Sequence, residues 1–118
     1  MSKLKLLGLA AAMFVSTSAL AVGAIAVDDV EGDSADNVGY YIVFGEDSEG
    51  AAKKAALKDC RADKNKNCKI GVWFTKCGAY ATSKTTYGYG TGKTKGAATQ
   101  NALENCGAGC KLVVADCE

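Results

Sequence analysis

Six cysteines, at 60, 68, 77, 106, 110 and 117, are the residues best equipped for chemistry, and the 118-residue chain has no histidine beside them. Thiolates can hold a metal, attack a substrate or pair as disulfides. A cysteine-only zinc site draws on two compact pairs, and the intervening spacings here are seven, eight, twenty-eight, three and six residues, with no C-x-x-C. No metal is expected. Without histidine neither a Ser-His-Asp nor a Cys-His arrangement can be assembled. An even count of cysteines in a short exported chain points instead to three disulfides, and cysteines committed to disulfides are not nucleophiles.

A second candidate is the stretch YGYGTGKTKG, residues 87–96, which has the look of a phosphate-binding loop. With Gly92, Lys93 and Thr94 in place, the pattern G-x-x-x-x-G-K-[ST] asks for glycine at 87, where the chain has Tyr87. A Cβ there obstructs the cradle of backbone amides that would meet a phosphate. Gly88, Gly90 and Gly92 also lack the G-x-G-x-x-G spacing of a dinucleotide fold. No nucleotide and no other cofactor is expected.

Carboxylates are the last catalytic resource. Eight acids and no base lie between Asp28 and Glu49, whereas Lys53 to Lys76 holds eight bases against Asp59 and Asp63. A carboxylate-based envelope hydrolase is therefore an alternative reading, although acids crowded into one segment more often face solvent. The net charge of +1 offers no bulk attraction to nucleic acid.

The elements that must position these residues begin after a leader. Lys3 and Lys5 precede an apolar run from Leu6 to Val15, and both Ala19-Leu20-Ala21 and Ala24-Ile25-Ala26 fit the small-x-small rule for signal peptidase. Residues 1–26 are expected to be a signal peptide cut after 21 or 26. An acidic flexible segment over 27–38 and one disulfide-bonded domain over 39–118 are expected to follow. The apolar run is short for a membrane span, so no stable membrane insertion is expected after cleavage.

Within the domain, AAKKAALKDC (51–60) and AATQNALENC (97–106) share the pattern A-A-x-x-x-A-L-x-x-C. The spacing predicts two helices, each with an alanine stripe ending in cysteine. Ser48 and Thr94 stand where N-caps belong, and Gly107 where the second helix should stop. YYIVF (40–44) and KIGVWF (69–74) flank the first helix as strands. Gly78 to Thr82 and KLVVA (111–115) flank the second. Strand parity puts Ile70, Val72 and Phe74 on one side and Trp73 on the other. The glycine–tyrosine stretch reads as a flexible lead-in to the second helix, with a small strand as an option near Tyr87 and Tyr89.

The order is a β-α-β/β-α-β pseudo-repeat. It predicts an α+β fold: a small disulfide-stabilised two-layer sandwich, with two helices on one face of a mainly antiparallel sheet. In each half a helix ends in cysteine and another cysteine opens the next strand. This suggests Cys60–Cys68 and Cys106–Cys110, leaving Cys77–Cys117.

The chain resembles a bacterial family of secreted cysteine-rich domains, the domain of unknown function numbered 4189. The likeness spans roughly residues 39–117 and rests on AAKKAALKDC, the run from Cys68 to C-G-A-Y-A, the YGYGTG stretch, and AATQNALENCGAGC. It implies export and a small disulfide-bonded domain, and it brings no catalytic residue with it. The expected function is non-catalytic interaction in the periplasm or outside the cell with an envelope or secreted protein, and less so with a glycan. An inhibitor or immunity-like factor fits that description, and a purely structural secreted domain is a further alternative. The candidate binding surface is Trp73, Tyr87, Tyr89, Lys54, Lys58 and Arg61.

Overall fold

A computed structural model of the protein describes residues 21–30, 34–63 and 67–118. Eight elements follow in order: β1 (Val22–Asp28), β2 (Gly39–Glu46), α1 (Glu49–Ala62), β3 (Cys68–Phe74), β4 (Cys77–Thr82), β5 (Tyr87–Gly92), α2 (Lys95–Cys106) and β6 (Lys111–Cys117). All pairing is antiparallel, in two three-stranded sheets ordered β2-β1-β3 and β5-β4-β6. The chain therefore runs twice through the same β-β-α-β path.

Alternation along the central strands sets the layers. Val22, Ala24 and Ala26 of β1 meet Ala52, Ala56 and Cys60 of α1. Cys77, Ala79 and Ala81 of β4 meet Ala98, Ala102 and Cys106 of α2. The opposite faces of the two sheets pack on each other through Ile25, Val27, Phe74 and Tyr80. The disulfide-stapled α+β sandwich is thus built in four layers, helix, sheet, sheet, helix. The expectation of both helices on one face of one sheet is corrected in that detail, because each helix's alanine stripe is filled by its own sheet. Small residues on the helix-facing sides let each helix lie close, so the bulk of the core sits between the sheets.

Two boundaries change as well. Among the described residues the first element begins at Val22, not at 39, and this β1 is the central strand of its sheet. It is buried on both faces, so it reads as an unbroken apolar run. In the sequence that run directly follows the leader's Ala19-Leu20-Ala21 motif, with only Ser16-Thr17-Ser18 between that motif and the leader's own apolar run. The expected leader lies outside the described residues as far as residue 20, and residues 22–26 belong to β1. The expected flexible lead-in at 87–92 is strand β5, paired along its length with β4.

The repeat is stronger than the helices alone disclose. GAIAV (23–27) matches GAYAT (78–82), and each central strand carries a register shift at the same place against its third strand, between Ile25 and Ala26 and between Tyr80 and Ala81. In β3 this shift falls at Gly71. It turns Ile70 toward α1 while Val72 and Phe74 face the other sheet. The three residues expected on one side are therefore split by a bulge.

Helix ends follow local chemistry. The Ser48 hydroxyl accepts from the Ala51 amide at 3.1 Å, and the Thr94 hydroxyl from the Ala97 amide at 3.0 Å. Gly107, at φ 100°, donates its amide to the Leu103 carbonyl and ends α2. Disulfides join Cys60 to Cys68, Cys77 to Cys117 and Cys106 to Cys110. The first and third tie a helix C-terminus to the strand that follows it. The second crosses directly between paired residues of β4 and β6.

Candidate functional site

The glycines of β5 explain where the accessible surface lies. A Cβ at Gly88 or Gly90 would overlap the backbone of α2. Their register counterparts in the first half are Tyr41 and Val43, whose side chains pack against the α1 core cluster. Freed of side chains on that face, β5 receives α2 so closely that Asn101 and Asn105 reach its outer edge. They donate to the carbonyls of Thr91 and Tyr89, each at 2.7 Å. Two carbonyls of an open strand edge are thereby satisfied. Reading the chain alone missed this pair, although amide side chains at i and i+4 beside a glycine-alternating strand are the available signal.

The tyrosines of β5 point the other way, toward the first sheet. Tyr89 stacks on Tyr80 with ring centroids 5.1 Å apart and lies directly over Gly71, where a Cβ would enter its ring. Tyr89 is thus a filler between the sheets and not the surface aromatic expected. It closes the middle of the seam between β3 and β5 and leaves a cleft at each end.

At one end, a cleft of about 320 Å³ is lined by Asp29, Lys69 and the β4–β5 turn from Thr82 to Tyr87. The turn is held by Ser83, whose hydroxyl accepts from the Thr85 and Thr86 amides. Asp29 accepts from the Tyr80 hydroxyl. Burial, and next this bond, raise the Tyr80 phenol well above the ordinary phenol range. Burial, and then the neighbouring Tyr87 and Asp29, do the same for Tyr89. Tyr87 is 52% exposed, and its ring carries the Lys69 ammonium 4.8 Å from its centroid. Its cationic partner is thus already within the chain.

The other end is different in character. A cleft of about 570 Å³ opens between the end of β3, the β3–β4 turn and the end of β5. Trp73, 39% exposed, shares it with Thr75, Lys76, Thr91 and Lys93, and no carboxylate among the described residues lines it. Lys76 and Lys93 follow the ends of two strands that lie in different sheets, so their meeting depends on sheet stacking that sequence patterning does not disclose.

The remaining predicted residues, Lys54, Lys58 and Arg61, are exposed on α1. They line neither cleft. The six proposed surface residues are therefore not one site. Trp73 marks one end of the seam, Tyr87 the other, Tyr89 the core between them, and the three bases a separate helix surface.

Among the described residues, no group of three or more His, Cys, Asp or Glu side chains is placed to hold a metal ion. No helix among them is long and apolar enough to cross a membrane. Comparison with known proteins matches residues 22–117 to the family model described as Domain of unknown function (DUF4189). No curated protein and no solved structure matches the chain.

Proposed function

The chain belongs to the DUF4189 family, and on that premise we propose that it is an exported, non-catalytic interaction domain that uses the Trp73 cleft to bind an acidic surface of an envelope or secreted protein. The observation that carries this reading is the cleft itself. The partly exposed Trp73 shares its lining with Lys76 and Lys93, and no acid among the described residues joins them there. Tryptophan with a charged rim is the pattern of an interface anchor. Export is supported by the leader motif and by six cysteines all engaged in disulfides. The absence of histidine and of any free thiol supports a non-catalytic role.

The test uses the oxidised domain, immobilised and exposed to envelope extract. The wild-type domain retains a partner that moderate salt releases. Trp73→Ala, and Lys76→Ala combined with Lys93→Ala, lose it at least tenfold, while Tyr87→Ala keeps it. Equal retention by all variants would place the contact elsewhere. Hydrolysis of an envelope polymer by the purified domain would favour the carboxylate-hydrolase alternative instead.

A further inference from the structure

Of the two small-x-small motifs near the N-terminus, only one leaves the fold whole, and the folded domain holds a carboxylate ready for the terminus that this cut creates. We infer that the chain is processed between Ala21 and Val22, and that the α-ammonium so formed on Val22 is met by the carboxylates of Glu118 and Glu46. The inference rests on the export reading above.

Ala21 is exposed and precedes β1. Ala24 and Ala26, the small residues of the other motif, are both fully buried in β1. A cut after Ala26 would remove five of the seven residues of the strand to which both β2 and β3 pair. Val22 would then be lost opposite Glu46, Ala24 opposite Val43 and Trp73, and Ile25 opposite Ile42 and Val72.

Val22 is the register partner of Glu46. Glu118, after β6, folds back on the same corner. Its amide donates to the Lys76 carbonyl at 2.7 Å, and its Oε1 accepts from the Gly45 amide at 2.9 Å. Its Oε2 would lie 2.7 Å from a Cβ at Gly23. A carboxylate is thus anchored against the residue next to the new terminus. In the uncut chain the Val22 nitrogen is a neutral amide. Hydrolysis of the Ala21–Val22 bond by water leaves a carboxylate on Ala21 and an amine on Val22, which is protonated below its ordinary range near 8.

Full-length chain expressed in a bacterium with a periplasm, followed by N-terminal sequencing and intact mass of the periplasmic and cytoplasmic fractions, tests the cut. A terminus reading VGAIAV is expected. A folded periplasmic product starting at Val27, or anywhere else within β1, would overturn the inference while leaving export standing. Uncut chain confined to the cytoplasm would overturn export and the inference together. The ion pair is read separately on the processed protein. Glu118→Gln should lower its denaturation midpoint at pH 7, and should do so less once the α-amine is acetylated. Equal effects before and after acetylation would overturn the pairing.

Discussion

Gly71 and Tyr89 show how single residues decide what this domain can offer to a partner. The ring of Tyr89 occupies the space that a side chain at 71 would need, so Gly71→Ala must displace either the ring or the strand. A loss of about 1–3 kcal/mol in denaturant unfolding is expected, as for other overpacked interiors. Gly50, in the first turn of α1, has nothing within 4 Å of an added Cβ. Gly50→Ala should therefore be neutral or stabilise by about 0.4–1 kcal/mol. Tyr80 and Tyr89 also set the alkaline limit. Both phenols keep their protons in the folded state beyond the ordinary range, whereas in the unfolded chain they ionise near pH 10. Their contribution to stability is present in full below about pH 10 and is lost as pH rises above it. Spectroscopic titration of tyrosinate should show two of the five tyrosines ionising only together with loss of far-ultraviolet helix signal. Smooth ionisation of all five in a folded protein would contradict this.

At the scale of elements, what was legible followed from local rules. Both helices, their caps at Ser48 and Thr94, and the stop at Gly107 are consequences of periodicity and short-range hydrogen bonding, and they lie where the spacing puts them. Three features depended on partners far along the chain. Residues 22–26 of β1 read as leader in the sequence, because a strand covered on both faces and a secretory apolar run have the same composition. The echo of GAIAV in GAYAT was the available correction. The bulge at Gly71 overrode simple alternation and split Ile70 from Val72 and Phe74. The seating of α2 on β5 made a strand of what looks like a flexible loop. That seating is testable. Gly90→Ala forces a Cβ into the α2 backbone and should destabilise by about 1–3 kcal/mol. Asn101→Ala and Asn105→Ala each remove one donor from the β5 edge and should cost about 0.5–1.5 kcal/mol. Exposing that edge should also raise the tendency to associate, read by light scattering of the double variant.

For the molecule as a whole, two copies of one β-β-α-β path, each too thin to bury its own apolar surface, face each other across a shared core. Alternation assigns residues to the two faces of a strand but does not say what covers the second face, so by itself it does not distinguish one sheet from two. What selects two sheets is the fit of large rings to missing side chains: Phe74 over Gly23 and Gly78, and Tyr89 over Gly71. The disulfides divide along the same lines. Cys106–Cys110 closes a separation of 4 residues and Cys77–Cys117 one of 40. In the chain-entropy picture the first stabilises by about 2 kcal/mol and the second by about 4. Replacing Cys77 and Cys117 together by alanine should therefore lower the unfolding free energy roughly twice as much as replacing Cys106 and Cys110.

The seam between the two sheets is also where function is placed, and the single tryptophan reports on it without any label. Emission of the oxidised, processed protein, titrated with iodide and with acrylamide in parallel, tests whether the Trp73 cleft is the surface presented to a partner. With Trp73 partly open in a cleft that Lys76 and Lys93 also line, both quenchers should act. Iodide should be drawn in by the ammonium groups, and its advantage should fall when salt is raised or when both lysines are replaced by alanine. A blue-shifted emission that neither quencher reaches, or iodide quenching indifferent to salt and to the lysines, would contradict the assignment of this cleft as the surface the protein presents.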